Sequence, residues 1–433
     1  MRNDIVHIGA DELTYEIRGI MNVARDLEKM GVPMVWENIG DPVAKGASMP
    51  AWIRDIVVRA VRENDECFGY CPTQGLFETR AFLAERAKTN APRGLSPDDI
   101  LFFNGLGDAI ANIYTYLNAR ARVIGPSPAY PAHSSAEGAH AGERHITYNL
   151  NPERNWLPDL HELRNKVTYN PAISGILVVN PGNPTGQTVP KEVLEEIVGI
   201  ADEFDLFLIS DEIYGGVVHN PEEMVSVAEI VGEVPALVMK GLSKEVPWPG
   251  ARCGWIEVYN RARDGMFDRY IRTLVDAKAL EVCATTLPQA IIPEVFSDPR
   301  YEATLKERSA AYARRARIAC DIFRSVPGII APLPNAAFYL SVVFEDGALT
   351  DSQTLPVEDS GVREYIARAA RGVCADKRFA YYLMAHAGVC VVPLSGLNSR
   401  LSGFRMTLLE PDEAVFANTV ENIARAITAY VRG

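Results

Sequence analysis

SGILVVNPGNPTGQTVPKEVLEEIVGIADEFDLFLISDEIY, residues 174–214, is the stretch whose reading decides the fold. It opens on the apolar run Ile176-Leu-Val-Val, which ends in a turn rich in Pro, Gly and Asn. A short apolar run bounded by such a turn is the pattern of a strand covered on both faces. A helical pattern follows over 190–204. A second apolar run, Leu206-Phe-Leu-Ile, then delivers Asp211 at its carboxyl end.

The alternation extends in both directions. Apolar strand candidates lie at 100–103, 121–124, 144–148, 174–179, 206–210, 236–240 and 253–258. Helical stretches at 106–119, 131–141, 159–167 and 190–204 separate most of them. Short apolar strands alternating with helices predict an α/β domain, its mainly parallel sheet covered by helices on both faces. In such sheets ligands bind beyond the carboxyl ends of the strands.

A second region begins near residue 299. A long charged helix over about 299–325 leads to strands near 337–344, 389–393 and 403–408, then to a helix over 412–431. This predicts a smaller α+β domain. At the other end, Ile17, Ile20, Met21, Ala24 and Leu27 share one face of a helix over 11–30 that Gly31 stops. Helical patterns recur at 51–63 and 75–89. The expected division is 1–50 as an N-terminal segment joining the small domain, 51–298 as the large domain and 299–433 as the small one. The polar stretch 345–360 reads as a surface loop.

Composition narrows the function. Lys plus Arg number 43 against 56 Asp plus Glu, a net charge of −13. That charge repels nucleic acid and anionic lipid, so neither is an expected partner. No apolar run approaches the roughly 20 residues that span a bilayer. The seven cysteines include no Cys-x-x-Cys pair, and the seven histidines form no metal-ligand pattern. Reduced core thiols in a cytoplasmic protein, with no metal, are the expectation.

Four clusters carry chemistry. Asn180-Pro-Gly-Asn183-Pro-Thr-Gly186 follows one strand, and Asp211-Glu-Ile-Tyr214 ends the next. Gly241-Leu-Ser243-Lys244 follows a third and is trailed by Pro249-Gly-Ala-Arg252. Phe103-Asn104-Gly105-Leu106-Gly107-Asp108 turns a strand into a helix through glycines. Unpaired N–H groups and the helix dipole favour an anion there, although the ending of a P-loop is missing.

In this order and spacing the four clusters resemble the class I and II aminotransferases among the fold-type-I pyridoxal-phosphate enzymes. The resemblance covers nearly the whole chain. It includes Asn38-Ile-Gly40-Asp-Pro, Tyr70 in Phe-Gly-Tyr-Cys, Tyr130 in Ser-Pro-Ala-Tyr-Pro and Arg405 in Gly-Phe-Arg-Met-Thr. The opening Tyr15-Glu-Ile-Arg18-Gly is similar to the bacterial alanine aminotransferase branch.

The resemblance implies pyridoxal 5′-phosphate as cofactor, held as an imine on Lys244, which also moves the substrate proton. It implies Asp211 on the ring nitrogen, Tyr214 and Asn183 on the ring oxygen, and Tyr130 on the ring face. Arg252, Ser243, Gly105, Leu106 and Gly107 are implied for the phosphate, with Tyr70 reaching in from the second subunit of a homodimer. Arg405 and Gly40 are implied for the α-carboxylate of an amino acid or 2-oxo acid. Tyr15 and Arg18, one helical turn apart, are candidates for the far end of the substrate, Arg18 for the distal carboxylate of glutamate or 2-oxoglutarate. The expected reaction is amino transfer between the glutamate/2-oxoglutarate pair and alanine or a similar amino acid. A β-lyase on the same fold is the alternative, ahead of an aspartate or aromatic aminotransferase. Two features depart from the family: Pro247 and Trp248 inside the loop after Lys244, and Gly241 where many relatives carry a phosphate-binding Ser.

Overall fold

The computed structural model describes residues 5–13, 16–88 and 94–432, and of residues 16–18 only the helical backbone. Its strands are β1 Val35–Trp36, β2 Ile100–Phe103, β3 Arg122–Ser127, β4 Thr147–Asn151, β5 Leu157–Pro158, β6 Ile173–Val179, β7 Phe207–Asp211, β8 Ala236–Gly241, β9 Gly254–Tyr259, β10 Ile329–Ile330, β11 Tyr339–Phe344, β12 Val389–Cys390, β13 Val392–Pro393 and β14 Gly403–Thr407. Eight form one sheet in the order β2–β9–β8–β7–β6–β3–β4–β5. From β8 to β4 the neighbours are parallel. β9 runs antiparallel to both β2 and β8, and β5 antiparallel to β4.

Successive residues of a strand point to opposite faces. Ile176, Val178, Leu208, Ala236 and Val238 enter one apolar core. Leu177, Val179, Ile209, Leu237 and Met239 enter the other. Burial on both sides is why these strands read as unbroken apolar runs. The helices Lys191–Glu203 and Pro131–Ala141 make two of the crossovers.

The small sheet is antiparallel, in the order β10–β11–β14–β13. Its core takes in Phe323, Phe379, Phe404 and Phe416, together with Ile20, Ala24 and Leu27 of the N-terminal helix Glu16–Lys29. β1 pairs in parallel with β12 and ties the N-terminal segment to the same unit. The helix Arg300–Phe323 spans both regions: Tyr301 lies in a core of the large sheet, Tyr312 and Ala316 in that of the small one.

Two details differ from the sequence reading. The expected strand 389–393 is two short strands, because Val389–Cys390 pairs with β1 and Val392–Pro393 with β14. The stretch 345–360 is not simply a surface loop. Gln353, Leu355 and Val357 are buried, and the carbonyls of Gln353, Pro356 and Val357 accept from Arg378, His386 and Arg363. Isolated apolar residues in a polar stretch have no period to reveal them.

Candidate active site

The carboxyl ends of β6, β7 and β8 bring three side chains together: Asn183 in the turn after β6, Asp211 at the end of β7, and Lys244 in the short helix Leu242–Glu245 after β8. The small sheet closes the site from across the cleft. Ser341 of β11 stands opposite Arg405 of β14, and Tyr339 opposite Thr407. Leu340, Val342, Phe404 and Met406 leave by the other face into the small core. The polar face therefore meets the Asn180–Gly186 turn. Ser341 Oγ donates to the Pro184 carbonyl at 2.8 Å, and Arg405 Nη1 to Asn183 Oδ1 at 3.1 Å.

Arg405 is buried, with no carboxylate among its hydrogen-bond partners in the described residues. Nη2 donates to the Asn38 carbonyl at 2.6 Å, and the guanidinium carbon lies 4.5 Å from the Tyr339 ring centroid. Its Nε and both polar side-chain atoms of Asn38 are buried with no partner among the described residues. A buried cation with unused donors is costly by itself. A carboxylate accepts such donors two at a time.

Lys244 Nζ donates to the Gly40 carbonyl at 2.7 Å. It lies 5.7 Å from the centroid of the Tyr214 ring and 5.6 Å from that of Phe338. Burial pulls its ammonium down to about 8; Asp41 and Asp211 oppose that shift and Arg405 adds to it. The Tyr214 hydroxyl is 2.8 Å from that of Tyr339. Burial holds the Tyr214 phenol well above its ordinary range, so it stays a hydrogen-bond donor. Asp211 Oδ2 lies 3.1 Å from Nε2 of buried His133, and Oδ1 accepts from the Ile213 amide. His133 Nδ1 has no partner among the described residues.

A glycine turn completes the front. Gly105, at φ +82°, starts the helix Leu106–Thr115. A Cβ there would come within 2.7 Å of Arg252 Nη2, so the arginine lies directly over the turn. Arg252 donates to the carbonyls of Asn104 and Pro249, each at 3.3 Å. Behind the turn, Asp108 Oδ2 accepts from the Asn104 amide at 2.8 Å and from Lys278 Nζ at 2.7 Å. Lys278 is wholly buried and offsets the carboxylate beneath a helix start that otherwise favours anions. The first-turn amides of Leu106 and Gly107 complete this start.

The remaining candidates divide. Ser243 precedes Lys244 in the same short helix, and Tyr130 is half-buried at the start of the helix Pro131–Ala141. Tyr70 is 85% exposed in this chain. Tyr15 lies outside the described residues, and so does the side chain of Arg18. The sequence reading missed His133, Tyr339 and Lys278, and it quoted Asn38 without giving it a role. A histidine one turn after Tyr130 was a usable signal for the first. Nothing in the sequence marked Lys278, a lysine among helical charges. Among the described residues no cluster of His, Cys, Asp or Glu could hold a metal ion.

The donor set suits a phosphorylated pyridine aldehyde and a carboxylate-bearing substrate. Lysine and acid stand together, a glycine turn lies under an arginine, and a second arginine keeps a buried unused donor. Residues 38–423 match the sequence pattern of aminotransferase class I and II. The chain belongs to this family.

An uncharacterized aminotransferase of Methanocaldococcus jannaschii is 48% identical over 432 residues, covering 100% of both chains. The glutamate-pyruvate aminotransferase of Escherichia coli K12 is 28% identical over 335 residues, 76% of this chain and 80% of its own. The solved alanine aminotransferase of Pyrococcus furiosus superposes with a TM-score of 0.83 at 27% identity, covering 97% of this chain and 98% of its own. The protein is thus a fold-type-I aminotransferase, in a family of pyridoxal-phosphate-dependent transaminases. Its large sheet, covering helices and small antiparallel sheet form the aspartate aminotransferase-like fold.

Proposed function

We propose that this aminotransferase moves the amino group between the glutamate/2-oxoglutarate pair and alanine or a similar small amino acid, with pyridoxal 5′-phosphate bound through Lys244. The observation that carries the reading is the meeting of Lys244, Asp211, Asn183 and Arg405 at one cleft, with the Lys244 ammonium held near 8. The relatives called glutamate-pyruvate and alanine aminotransferase support the substrate pair. When bound, the cofactor supplies a conjugated ring that stores the electron pair released at the substrate Cα.

Each residue has a physical task. Lys244 Nζ, neutral in an appreciable fraction near pH 8, accepts a proton and hands it on, and its bond to the Gly40 carbonyl aims it across the cleft. Asp211, backed by His133, presents a buried carboxylate to a ring nitrogen and favours its protonated form. Tyr214 and Asn183 would donate to the ring oxygen, and Tyr130 would cover the ring. Gly105, Leu106, Gly107, Ser243 and Arg252 would hold the phosphate. Arg405 takes the α-carboxylate with Gly40 alongside, which orients the Cα–H bond. Tyr15 and Arg18 are the residues assigned in this proposal to the far end of the substrate.

The active unit in this reading is a homodimer in which Tyr70 reaches the phosphate of the second subunit. Bare aromatic side chains at Phe68 and Tyr70 support that surface. A cytoplasmic location accords with seven free cysteines. Among the described residues no helix is long and apolar enough to cross a membrane.

The test is a panel of amino donors and 2-oxo acids with purified holoenzyme, combined with borohydride reduction and peptide mapping. Glutamate with pyruvate should be the best pair, and the reduced cofactor should map to Lys244. Release of ammonia without any acceptor would support the β-lyase reading instead. An adduct on another lysine would overturn the site.

A further inference from the structure

The loop after Lys244 lacks donors that a helix end needs. The last carbonyls of a helix have no intrahelical partner and are answered by later backbone amides, side chains or water. Here the helix Leu242–Glu245 runs into Val246-Pro247-Trp248-Pro249. The amide four residues after Lys244 is that of Trp248, and it goes to the Leu242 carbonyl instead. Four residues after Glu245 stands Pro249, which has no N–H at all.

Arg308 supplies the missing donors. It sits on the helix Arg300–Phe323, 64 residues away in sequence. Its Nη2 donates to the Lys244 carbonyl at 3.0 Å and its Nη1 to the Glu245 carbonyl at 2.7 Å. One planar fork thus closes both carbonyls in a fixed geometry that a lysine's compact ammonium on a flexible stem does not hold. The Glu245 side chain is held by the same helix. Its Oε2 accepts from Tyr301 Oη at 2.7 Å, and its Oε1 from the Gly216 amide at 2.7 Å. A Cβ on Gly216 would come within 2.9 Å of Glu245 Cδ, so a larger residue there would push the carboxylate from its place. Tyr301 and Arg308, seven residues apart, lie on one face of their helix. Gly216 in turn lies two residues beyond Tyr214.

We propose that Arg308 is a positioning residue for Lys244: it answers the two carbonyls left open by the diverted Trp248 amide and by Pro249 and, with Tyr301 and Glu245, ties the lysine's backbone to the helix that spans the two domains. The inference rests on Lys244 being the cofactor lysine. The stiff Val246–Pro249 loop leaves the lysine's short helix dependent on a donor from a distant element. A shift of the domain-spanning helix is then felt at Lys244 through two carbonyls and one carboxylate.

The experiment compares Arg308→Lys, Arg308→Ala, the double variant Arg308→Ala/Pro249→Ala, and Arg314→Ala as a control. Arg314 lies on the same helix but is exposed and paired with Glu413. The first readout is the pH midpoint at which Lys244 reacts with acetic anhydride in cofactor-free protein, followed by peptide mass spectrometry. The second is the split between kcat and KM for the best amino donor.

Arg308→Lys keeps the charge, so a rise of its midpoint by about one pH unit reports a lysine released toward water rather than a lost cation. It should also lower kcat about tenfold with little change in KM, a loss of transition-state alignment. Pro249→Ala, which returns an N–H opposite the Glu245 carbonyl, should recover part of the kcat lost in Arg308→Ala. Arg314→Ala should match the unsubstituted protein. An unmoved midpoint and kcat in folded Arg308→Lys overturns the proposal, and so does equal loss in the single and double alanine variants. Borohydride mapping on the unsubstituted protein separates the two levels. An adduct away from Lys244 defeats the functional reading, whereas an adduct on Lys244 with unmoved midpoints defeats only the role of Arg308.

Discussion

Asp211 and Glu212 are neighbours in sequence and point to opposite faces of the same sheet. Asp211 shares the face of Ile209 and meets His133 at the cleft. Glu212 shares the face of Ser210 and is consumed by the fold. It accepts from Ser210 Oγ at 2.9 Å, from Ser226 Oγ at 2.7 Å and from the Val227 amide at 2.9 Å. Lys240 and Lys244 make a second such pair. Lys240, on the rear face, donates to Glu257 Oε2 at 2.9 Å. Burial lowers its ammonium, but Glu257 and Glu212 outweigh that and raise it above the ordinary lysine range. Lys244 faces Arg405 and a carbonyl, and burial wins, bringing it to about 8. The same residue types, one to four positions apart, become fully partnered structural groups on one side and cleft-facing groups on the other. Strand parity and the company each charge keeps decide which.

The largest test of this contrast is turnover. Lys244→Ala should abolish nearly all transamination, whereas Lys240→Met should retain most of it per folded molecule; steady-state assays with glutamate and pyruvate read the difference. The carboxylates come next. Asp211→Asn removes the charge offered to the ring nitrogen and should cut kcat by orders of magnitude. Glu212→Gln keeps a hydrogen-bonding shape on the rear face and should stay within a few-fold. Comparable losses in both variants would mean that the two faces do not divide the work as described.

Stability should separate the lysines with opposite signs. Lys240→Met leaves Glu257 and Glu212 buried without their cation, at a cost of about 3 kcal/mol. Lys244→Met removes an ammonium that the fold disfavours. The unfolded chain keeps that proton to about 10.5, the folded chain only to about 8. Between those values the unfolded state binds more protons, so stability rises with pH there. At pH 7, below both values, the whole cost of burying the charge is present. The cofactor-free Lys244→Met variant should therefore be more stable by up to about 3 kcal/mol at pH 7. That advantage should shrink as pH climbs from 8 to 10.5. Urea unfolding of the two variants across this range measures it, and a shared sign at pH 7 would break the comparison.

The smallest expected effect concerns substrate choice. Arg18→Ala should raise KM for glutamate and 2-oxoglutarate more than for alanine, by a factor corresponding to about 1–3 kcal/mol. Equal changes would remove Arg18 from the pocket and reopen aspartate or aromatic donors.

The amino-acid sequence determined the elements and the order of the chemistry along them. Doubly buried strands must be apolar throughout, so β6, β7 and β8 announced themselves, and each leads to a residue at the cleft: Asn183, Asp211 and Lys244. The strand–helix alternation identified the large sheet because covered parallel strands and their crossovers impose different periods on one chain. Only the tertiary structure decided which distant groups meet those residues. Arg405 faces the cleft because its register against Ser341 turns Leu340 and Phe404 inward to the core. Tyr339, His133 and Arg308 act across 125, 78 and 64 residues of separation on Tyr214, Asp211 and Lys244. Local periodicity cannot carry such pairings, since they arise from how whole sheets and helices pack. The lysine's shifted proton affinity is likewise a property of the assembled cleft, where burial and neighbouring charges act together on one amine.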